Sequence, residues 1–375
     1  MSLLLLLLML LLAVDTTVAS VDDILDGCKM SGVFVGCRSI SGNKFYIKTY
    51  NNATNVMTLY QTIPVTAVDN FAITPTMLLL GWEGYDSGSE DVGVAYIYLN
   101  TGSSFVLQQT MIGTIYHGYL GMNFAIQGNT ILIVERGWSG NRGRIRFFTC
   151  SGSGSAMCTE QTASVISKSL NIDTNFGCSL SFSGQSLIAT TDSREGKIYI
   201  HFITGTSTTS SYTFTGFNNP SGLQEQYATA IASDNQLFVA GQKRAAVNGL
   251  LNAGIVYTFS GSTTVTQGSS LHSPTVTANA YFGCAVVFDS TGQTLYVGSY
   301  GLGAIYVFQR TSLTFNATPI KTIATASNSF SLSLSWSILL ASHNQNLRFI
   351  NLLPTLAPTA SPTRGNFLFL FHPCY

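Results

Sequence analysis

Three features of the sequence predict an all-β ring of repeated, four-stranded antiparallel sheets. A short pattern returns about every fifty residues, its opening glycine traceable as Gly42, Gly93, Gly143, Gly196, Gly254 and Gly303. The strands after these glycines are apolar on both faces, as in Ala304-Ile305-Tyr306-Val307-Phe308 and Ile255-Val256-Tyr257-Thr258-Phe259, so each sheet needs cover on both sides. Only 9% of residues are charged while 46% are hydrophobic and Gly, Ser and Thr abound, which suits many short strands joined by turns. Equal units that must each hide two faces do so by standing around a common axis, where closure leaves no sheet bare. Six full units and a seventh, degenerate one therefore predict a seven-bladed β-propeller of four-stranded antiparallel blades.

The chain opens with twelve apolar residues, 3–14, too few for a membrane span and suited to the core of a signal peptide. Small residues at Val18-Ala19-Ser20 offer a cleavage point, so 1–20 is read as a leader and 21–353 as the repeat domain. The competing reading is an uncut N-terminal anchor, which the missing basic n-region leaves open.

Within the domain the clearest unit runs Tyr281-Phe282-Gly283-Cys284-Ala285-Val286-Val287-Phe288, a polar turn from Asp289 to Gln293, Thr294-Leu295-Tyr296-Val297-Gly298-Ser299, and then the Gly303 strand. A second copy begins Asn175-Phe176-Gly177-Cys178. The Phe-Gly place is assigned elsewhere to Asn70-Phe71, Asn123-Phe124, Gln226-Tyr227 and Ser329-Phe330. Aromatic and β-branched runs at 43–50, 94–99, 144–148, 197–202, 255–259 and 304–308 read as third strands, and segments such as 105–109 and 212–217 as fourth strands. No sustained 3.6-residue periodicity with caps marks a helix in this domain. In the seventh unit (330–335, 337–342 and 347–352) Asn346 replaces the glycine and the outermost strand is missing, so the last blade is expected either to stay three-stranded or to recruit 367–371. The segment 354–365 turns to Pro, Thr, Ala and Ser, a linker composition, and a short apolar tail ends the chain at 375.

Phe282-Gly283, Val297-Gly298 and Gly303-x-x-Tyr306-Val307-Phe308, in phase with the other units over about residues 24–352, resemble the FG-GAP repeat, the unit of integrin alpha-chain propellers. In calcium-binding members of that family the turn between first and second strands is rich in Asp and Asn. Here none of those turns holds more than one carboxylate, so the resemblance is to the calcium-free type, with no cofactor and no metal expected. The family also implies that ligands meet the rim carrying the loops between second and third strands.

Those loops gather the chain's scarce large polar residues. The residues expected to form a binding rim are Trp82, Tyr85, Arg136, Trp138, Arg142, Arg194, Arg244 and Tyr300, because aromatic and Arg side chains carry most binding energy at interfaces. The competing reading is ordinary solvated loops whose tryptophans tuck against sheet edges. Glu90, Asp91 and Asp86 form a candidate site for a weakly held cation. Cys28 with Cys37 and Cys150 with Cys158 are candidate disulfides closing small local loops in an oxidising compartment. Cys178 and Cys284 share one repeat position and read as small buried apolar residues, leaving Cys374 over. Asn52-Ala53-Thr54 and Asn316-Ala317-Thr318 are glycosylation acceptor patterns.

Zero formal net charge and the lack of a basic stripe exclude a nucleic-acid partner by composition. No nucleophile elbow, phosphate loop or zinc-binding helix motif stands in suitable context. The sequence thus points to a secreted module that binds an extracellular protein or glycan, with no membrane span in the mature chain. An extracellular polysaccharide hydrolase or lyase, with carboxylates drawn from separate blades, and a structural cell-surface component are the alternatives.

Overall fold

The computed structural model describes residues 16–17, 25–39, 43–152, 154, 157–161, 165–166, 176–183, 187–192, 197–204, 207–215, 230–234, 237–261, 264–289, 291–325, 331–335, 338–343, 346–352 and 370–371. These residues form seven antiparallel sheets. Sheet 1 comprises Leu25–Ser31, Phe34–Ser39, Lys44–Asn51 and Val56–Pro64; sheet 2 comprises Asn70–Ile73, Met77–Trp82, Val94–Asn100 and Phe105–Ile112. In sheet 3, Leu120–Gln127, Thr130–Glu135 and Arg144–Cys150 are followed by Cys158–Glu160 and Val165–Ile166, both paired to the third strand. Sheet 4 holds Phe176–Ser183, Leu187–Asp192, Lys197–Thr204 and Ser207–Thr215, and sheet 5 holds Ala230–Asp234, Leu237–Gln242, Ile255–Ser260 and Thr266–Leu271. Sheet 6 is built from Phe282–Phe288, Thr294–Ser299, Ala304–Thr311 and the two short partners Thr314–Phe315 and Lys321–Ala324. Ser331–Ser335, Ile338–His343 and Asn346–Asn351 make sheet 7.

The first strand of every sheet touches the first strand of the next, and that of sheet 7 touches that of sheet 1, so the sheets close a ring around these inner strands. Burial follows from this placement. The second strands Met77–Trp82 and Leu237–Gln242 are buried along nearly their whole length, whereas the outer strands Val56–Pro64 and Thr266–Leu271 are largely exposed. The third strands whose two apolar faces called for double cover receive it: Ile305, Phe308, Val256 and Phe259 are fully buried between neighbouring sheets. Each such phenylalanine contributes about 1.5–3 kcal/mol through burial.

The repeat glycine has a physical reason. Gly93 pairs with Leu120 and Gly254 with Phe282 as isolated parallel bridges from one sheet to the next. A Cβ on Gly93 would lie 2.2 Å from the Leu120 nitrogen, and one on Gly254 2.1 Å from the Phe282 carbonyl oxygen. The backbones therefore meet only where there is no side chain.

This contact corrects the register read for sheet 3. Leu120 pairs with Glu135 as Phe176 pairs with Asp192 and Phe282 with Ser299, each followed by a bulge. Leu120-Gly121 is thus the counterpart of the two Phe-Gly dipeptides, with φ of 92° at Gly121, 89° at Gly177 and 83° at Gly283. Asn123-Phe124 lies three residues beyond and matches Asn70-Phe71, both asparagines accepting a hydrogen bond from the next residue's amide. Gln226-Tyr227 and Ser329-Phe330 lie outside the described residues.

The asparagines join sheets near the axis. Lys29 Nζ donates to Asn70 Oδ1 and the Phe71 carbonyl, both at 2.7 Å. Asn70 Nδ2 donates to the Met122 carbonyl and Asn123 Oδ1, and Asn123 Nδ2 donates to the carbonyls of Gly177 and Cys178. Burial, with the Arg38 charge adding, holds the Lys29 amine well below its ordinary pKa. On the perimeter, glutamines do similar work. Gln61 bonds both backbone groups of Phe105 (2.7 and 2.9 Å), and Gln109 both of Cys158 (2.7 and 3.1 Å).

Disulfides Cys28–Cys37 and Cys150–Cys158 each join adjacent strands of one sheet. Cys178 is also disulfide-bonded, so its expected role as a plain apolar residue is corrected; among the described residues Cys284 is the free thiol. The edge of sheet 7 is likewise corrected. Thr16–Thr17 pairs with Phe349 and Arg348 as its fourth strand, and Leu370–Phe371 pairs instead with Leu180 and Ser179 on the inner strand of sheet 4. Thr16 and Thr17 precede the expected cleavage point, so a chain cut there would keep three strands in sheet 7. Among the described residues no helix is long and apolar enough to cross a membrane.

Candidate functional site

Where the repeat glycines meet the next sheet, the loop between second and third strands lies against the connection entering that next sheet. Between sheets 2 and 3 the amides of His117, Tyr119 and Leu120 donate to the carbonyls of Glu90, Asp91 and Val92 (3.0–3.1 Å). Between sheets 5 and 6 those of Asn279, Tyr281 and Phe282 donate to Leu251, Asn252 and Ala253 (2.9–3.1 Å). The left-handed residues also correspond: Asp91 (φ 50°), His117 (51°) and Tyr119 (51°) against Asn252 (54°), Asn279 (59°) and Tyr281 (50°).

The 2–3 junction is charged and aromatic. The Arg136 guanidinium lies 4.5 Å from the centre of the Tyr119 ring, and Trp82 and Tyr85 meet edge to face at 5.3 Å. His117 is stacked between Tyr116 (3.9 Å) and Tyr119 (5.9 Å). Its Nε2 stands 3.7 Å from Glu90 Oε2 and 3.9 Å from Asp91 Oδ2. Asp69 Oδ2 accepts the Glu83 amide at 2.8 Å. The Glu83 carboxyl is raised above its ordinary pKa, first by burial, with Asp69 and Asp91 adding and Arg136 opposing. Burial likewise raises the Tyr119 hydroxyl, and the neighbouring Asp91 carboxylate adds to it.

At the places of Asp91 and His117 the 5–6 junction carries neutral amides. Asn252 Nδ2 donates directly to Asn279 Oδ1 at 2.9 Å, and Tyr281 stacks on Tyr300 at 4.2 Å where the other junction has Tyr119 and Arg136. At the place of Glu83 stands Lys243, its amine lowered from the ordinary value chiefly by burial.

The expected rim residues accordingly fall into separate groups. Trp82, Tyr85 and Arg136 converge between sheets 2 and 3; Trp138 and Arg142 occupy the adjoining loop, where the Arg144 guanidinium sits 5.5 Å from the Trp138 ring. Exposed Arg244 and half-buried Tyr300 belong to the 5–6 junction, three sheets further round. Arg194 lies outside the described residues. The acidic trio is rearranged. Asp86 Oδ1 accepts the Asp91 amide at 2.7 Å, and His117 joins Glu90 and Asp91 in its place, all three ligating atoms lying within 4.8 Å of one another. Sequence reasoning missed His117 because it enters from the connection between sheets, 26 residues after Asp91. Its signal is alignment with Asn279, both lying three residues before the first residue of an inner strand. In the sheet 6 hairpin, Asp289 is spent locally, accepting from the amides of Thr291 and Gln293. Asn52 lies half-buried in a turn of sheet 1, and Asn316 is exposed beside sheet 6.

The chain is similar in structure to a chain of the mitotic checkpoint complex (TM-score 0.62, 13% identity, covering 90% of this chain and 94% of that one). It is also similar to the beta-propeller domain of Myceliophteria thermophila Cps50 (Swd1) (TM-score 0.57, 7% identity, 90% of this chain and 100% of that one). The fold is a β-propeller. A third similar structure is a putative 6-phosphogluconolactonase from Bacteroides uniformis (TM-score 0.55, 13% identity, 78% and 82% covered). At these identities the likeness carries the propeller fold and nothing of activity. No protein-family model and no curated protein matches the sequence.

Proposed function

We propose that this propeller is a secreted binding module of FG-GAP-like repeats that takes an extracellular protein or glycan on the rim between sheets 2 and 3. One observation carries the reading. Trp82, Tyr85, Tyr119 and Arg136, half-buried, and Tyr116, 60% exposed, converge beside Glu90 and Asp91 at a single junction. Partly exposed aromatics with an arginine are the residue types that become hot spots when a partner covers them. Export is supported by the apolar leader-like start, by the acceptor patterns at Asn52 and Asn316, and by disulfides, which persist in oxidising compartments.

The test is binding of the purified chain to a panel of immobilised extracellular-matrix proteins and glycans. Trp82→Ala combined with Arg136→Ala should weaken a positive interaction by about 2 kcal/mol or more, roughly 30-fold. Arg244→Ala combined with Tyr300→Ala should leave it unchanged. Equal loss in both pairs, or in neither, removes the 2–3 junction as the binding face.

A further inference from the structure

The imidazole of His117 is placed but not satisfied. Its ring stacks on Tyr116 and lies near Tyr119, and although the side chain is 36% exposed its Nε2 atom is sealed from solvent and has no hydrogen-bond partner. The Glu90 and Asp91 carboxylate oxygens that face it, at 3.7 and 3.9 Å, are within ion-pair distance of a protonated ring but beyond hydrogen-bonding range. A sealed polar atom without a partner destabilises a fold. The same backbone offers a way to avoid that cost, since at the 5–6 junction Asn252 and Asn279 close directly on each other. Here a nitrogen donor and two carboxylate oxygens instead stand apart around a common centre.

The spacing identifies what fits between them. With metal–ligand bonds of about 2.1 Å, adjacent donors around one ion lie roughly 3 Å apart in octahedral geometry and about 3.4 Å apart in tetrahedral geometry, and opposed octahedral donors lie about 4.2 Å apart. The imidazole nitrogen's separations from the two carboxylate oxygens, 3.7 and 3.9 Å, fall inside that range, and all three donor atoms lie within 4.8 Å of one another. One imidazole with two carboxylates is a donor set for borderline divalent metals rather than for calcium, which prefers oxygen alone. We propose that Glu90, Asp91 and His117 bind one divalent transition-metal ion, Zn2+ being the best match, at the rim between sheets 2 and 3. Glu90 is 66% exposed, so water can reach the ion from the carboxylate side to complete its coordination. This site stands whether or not the rim takes a macromolecular partner.

The experiment is calorimetric titration of the metal-stripped full chain with Zn2+ at neutral pH, paired with Co2+ loading read by visible absorption. Wild type should take up one equivalent at the site and show cobalt bands of a nitrogen and oxygen set. Asp91→Asn with His117→Asn imports the side chains of the neutral junction, which the same backbone already accommodates. This variant should bind at least about 10- to 100-fold more weakly and lose the cobalt bands. Asn279→Ala, at the other junction, should leave both readouts unchanged. If the double variant fails to fold, Glu90→Gln, at an exposed side chain, replaces it and should weaken binding in the same direction. Absence of saturable Zn2+ uptake by wild type, or uptake and spectra unaltered in the folded variant, overturns the proposal.

Discussion

Asp91, His117 and Tyr119 at one junction and Asn252, Asn279 and Tyr281 at another adopt the same left-handed backbone and make the same three amide bonds, though three sheets separate them. Taken alone, a histidine and an aspartate with positive φ at a rim junction invite a functional explanation for their strain. The asparagine-bearing copy removes that explanation, because the conformation belongs to how one sheet meets the next. What distinguishes the two places is side-chain chemistry. Carboxylates, imidazole and guanidinium gather at the first, while two amides bonded to each other and a tyrosine pair fill the second.

The largest expected effect tests whether the frame is shared. A Cβ on Gly137 would lie 1.5 Å from the His117 carbonyl oxygen, and one on Gly301 1.8 Å from that of Asn279. Gly137→Ala and Gly301→Ala should therefore each cost about 3 kcal/mol or more in urea unfolding, to similar extents. A tolerated alanine at one junction only would show that the two backbones are not equivalent.

An intermediate effect separates the junctions by charge. Burial raises the Glu83 carboxyl, so the folded chain holds that proton more tightly than the unfolded chain. Its stabilising contribution is present below the ordinary carboxylate pKa and is lost as pH rises through the folded value. Burial lowers the Lys243 amine, so its contribution is present above the ordinary value of 10.5 and is lost as pH falls through the folded one. Melting temperatures across pH should show Glu83→Gln gaining on wild type as pH rises from about 4 to 7, and Lys243→Met gaining as pH falls below about 10. No pH-dependent gain in either variant would mean that the two charges are compensated by neighbours.

The smallest effect concerns the bond that closes the neutral copy. Asn252→Asp keeps a residue tolerant of positive φ but removes the amide donor to Asn279 Oδ1. The loss should stay below about 1 kcal/mol in chemical denaturation, because the pair is exposed to water. A larger loss would make that bond part of the frame rather than a side-chain detail.

Much of the fold was legible because it rests on patterning. Apolar runs on both faces foretold double cover, and the repeat glycines gave the length of the unit, whereas the close backbone approach that requires them at Gly93 and Gly254 was visible only in the structure. Third strands begin within a residue of their expected starts, since aromatic and β-branched runs define them. Phe-Gly was harder to follow. In sheet 3 leucine replaces phenylalanine at Leu120, and the more conspicuous Asn123-Phe124 nearby does a different job. That Trp82, Tyr85 and Arg136 lie where second strands end and loops begin was readable from loop composition. The partnership of His117 with Glu90 and Asp91 was not, because it forms between two sheets and no local spacing encodes it.

The side-chain amides near the axis carry a mechanical consequence. Asn70 uses all four of its bonding positions, taking hydrogens from Lys29 and its own neighbour and giving two to sheet 3, where Asn123 passes two on to sheet 4. Prising apart any one of these seams strands a donor on one lip and an acceptor on the other, out of reach of water. Four wedges of the disc are thereby tied into one run of side-chain hydrogen bonds, from Lys29 to the carbonyls of Gly177 and Cys178.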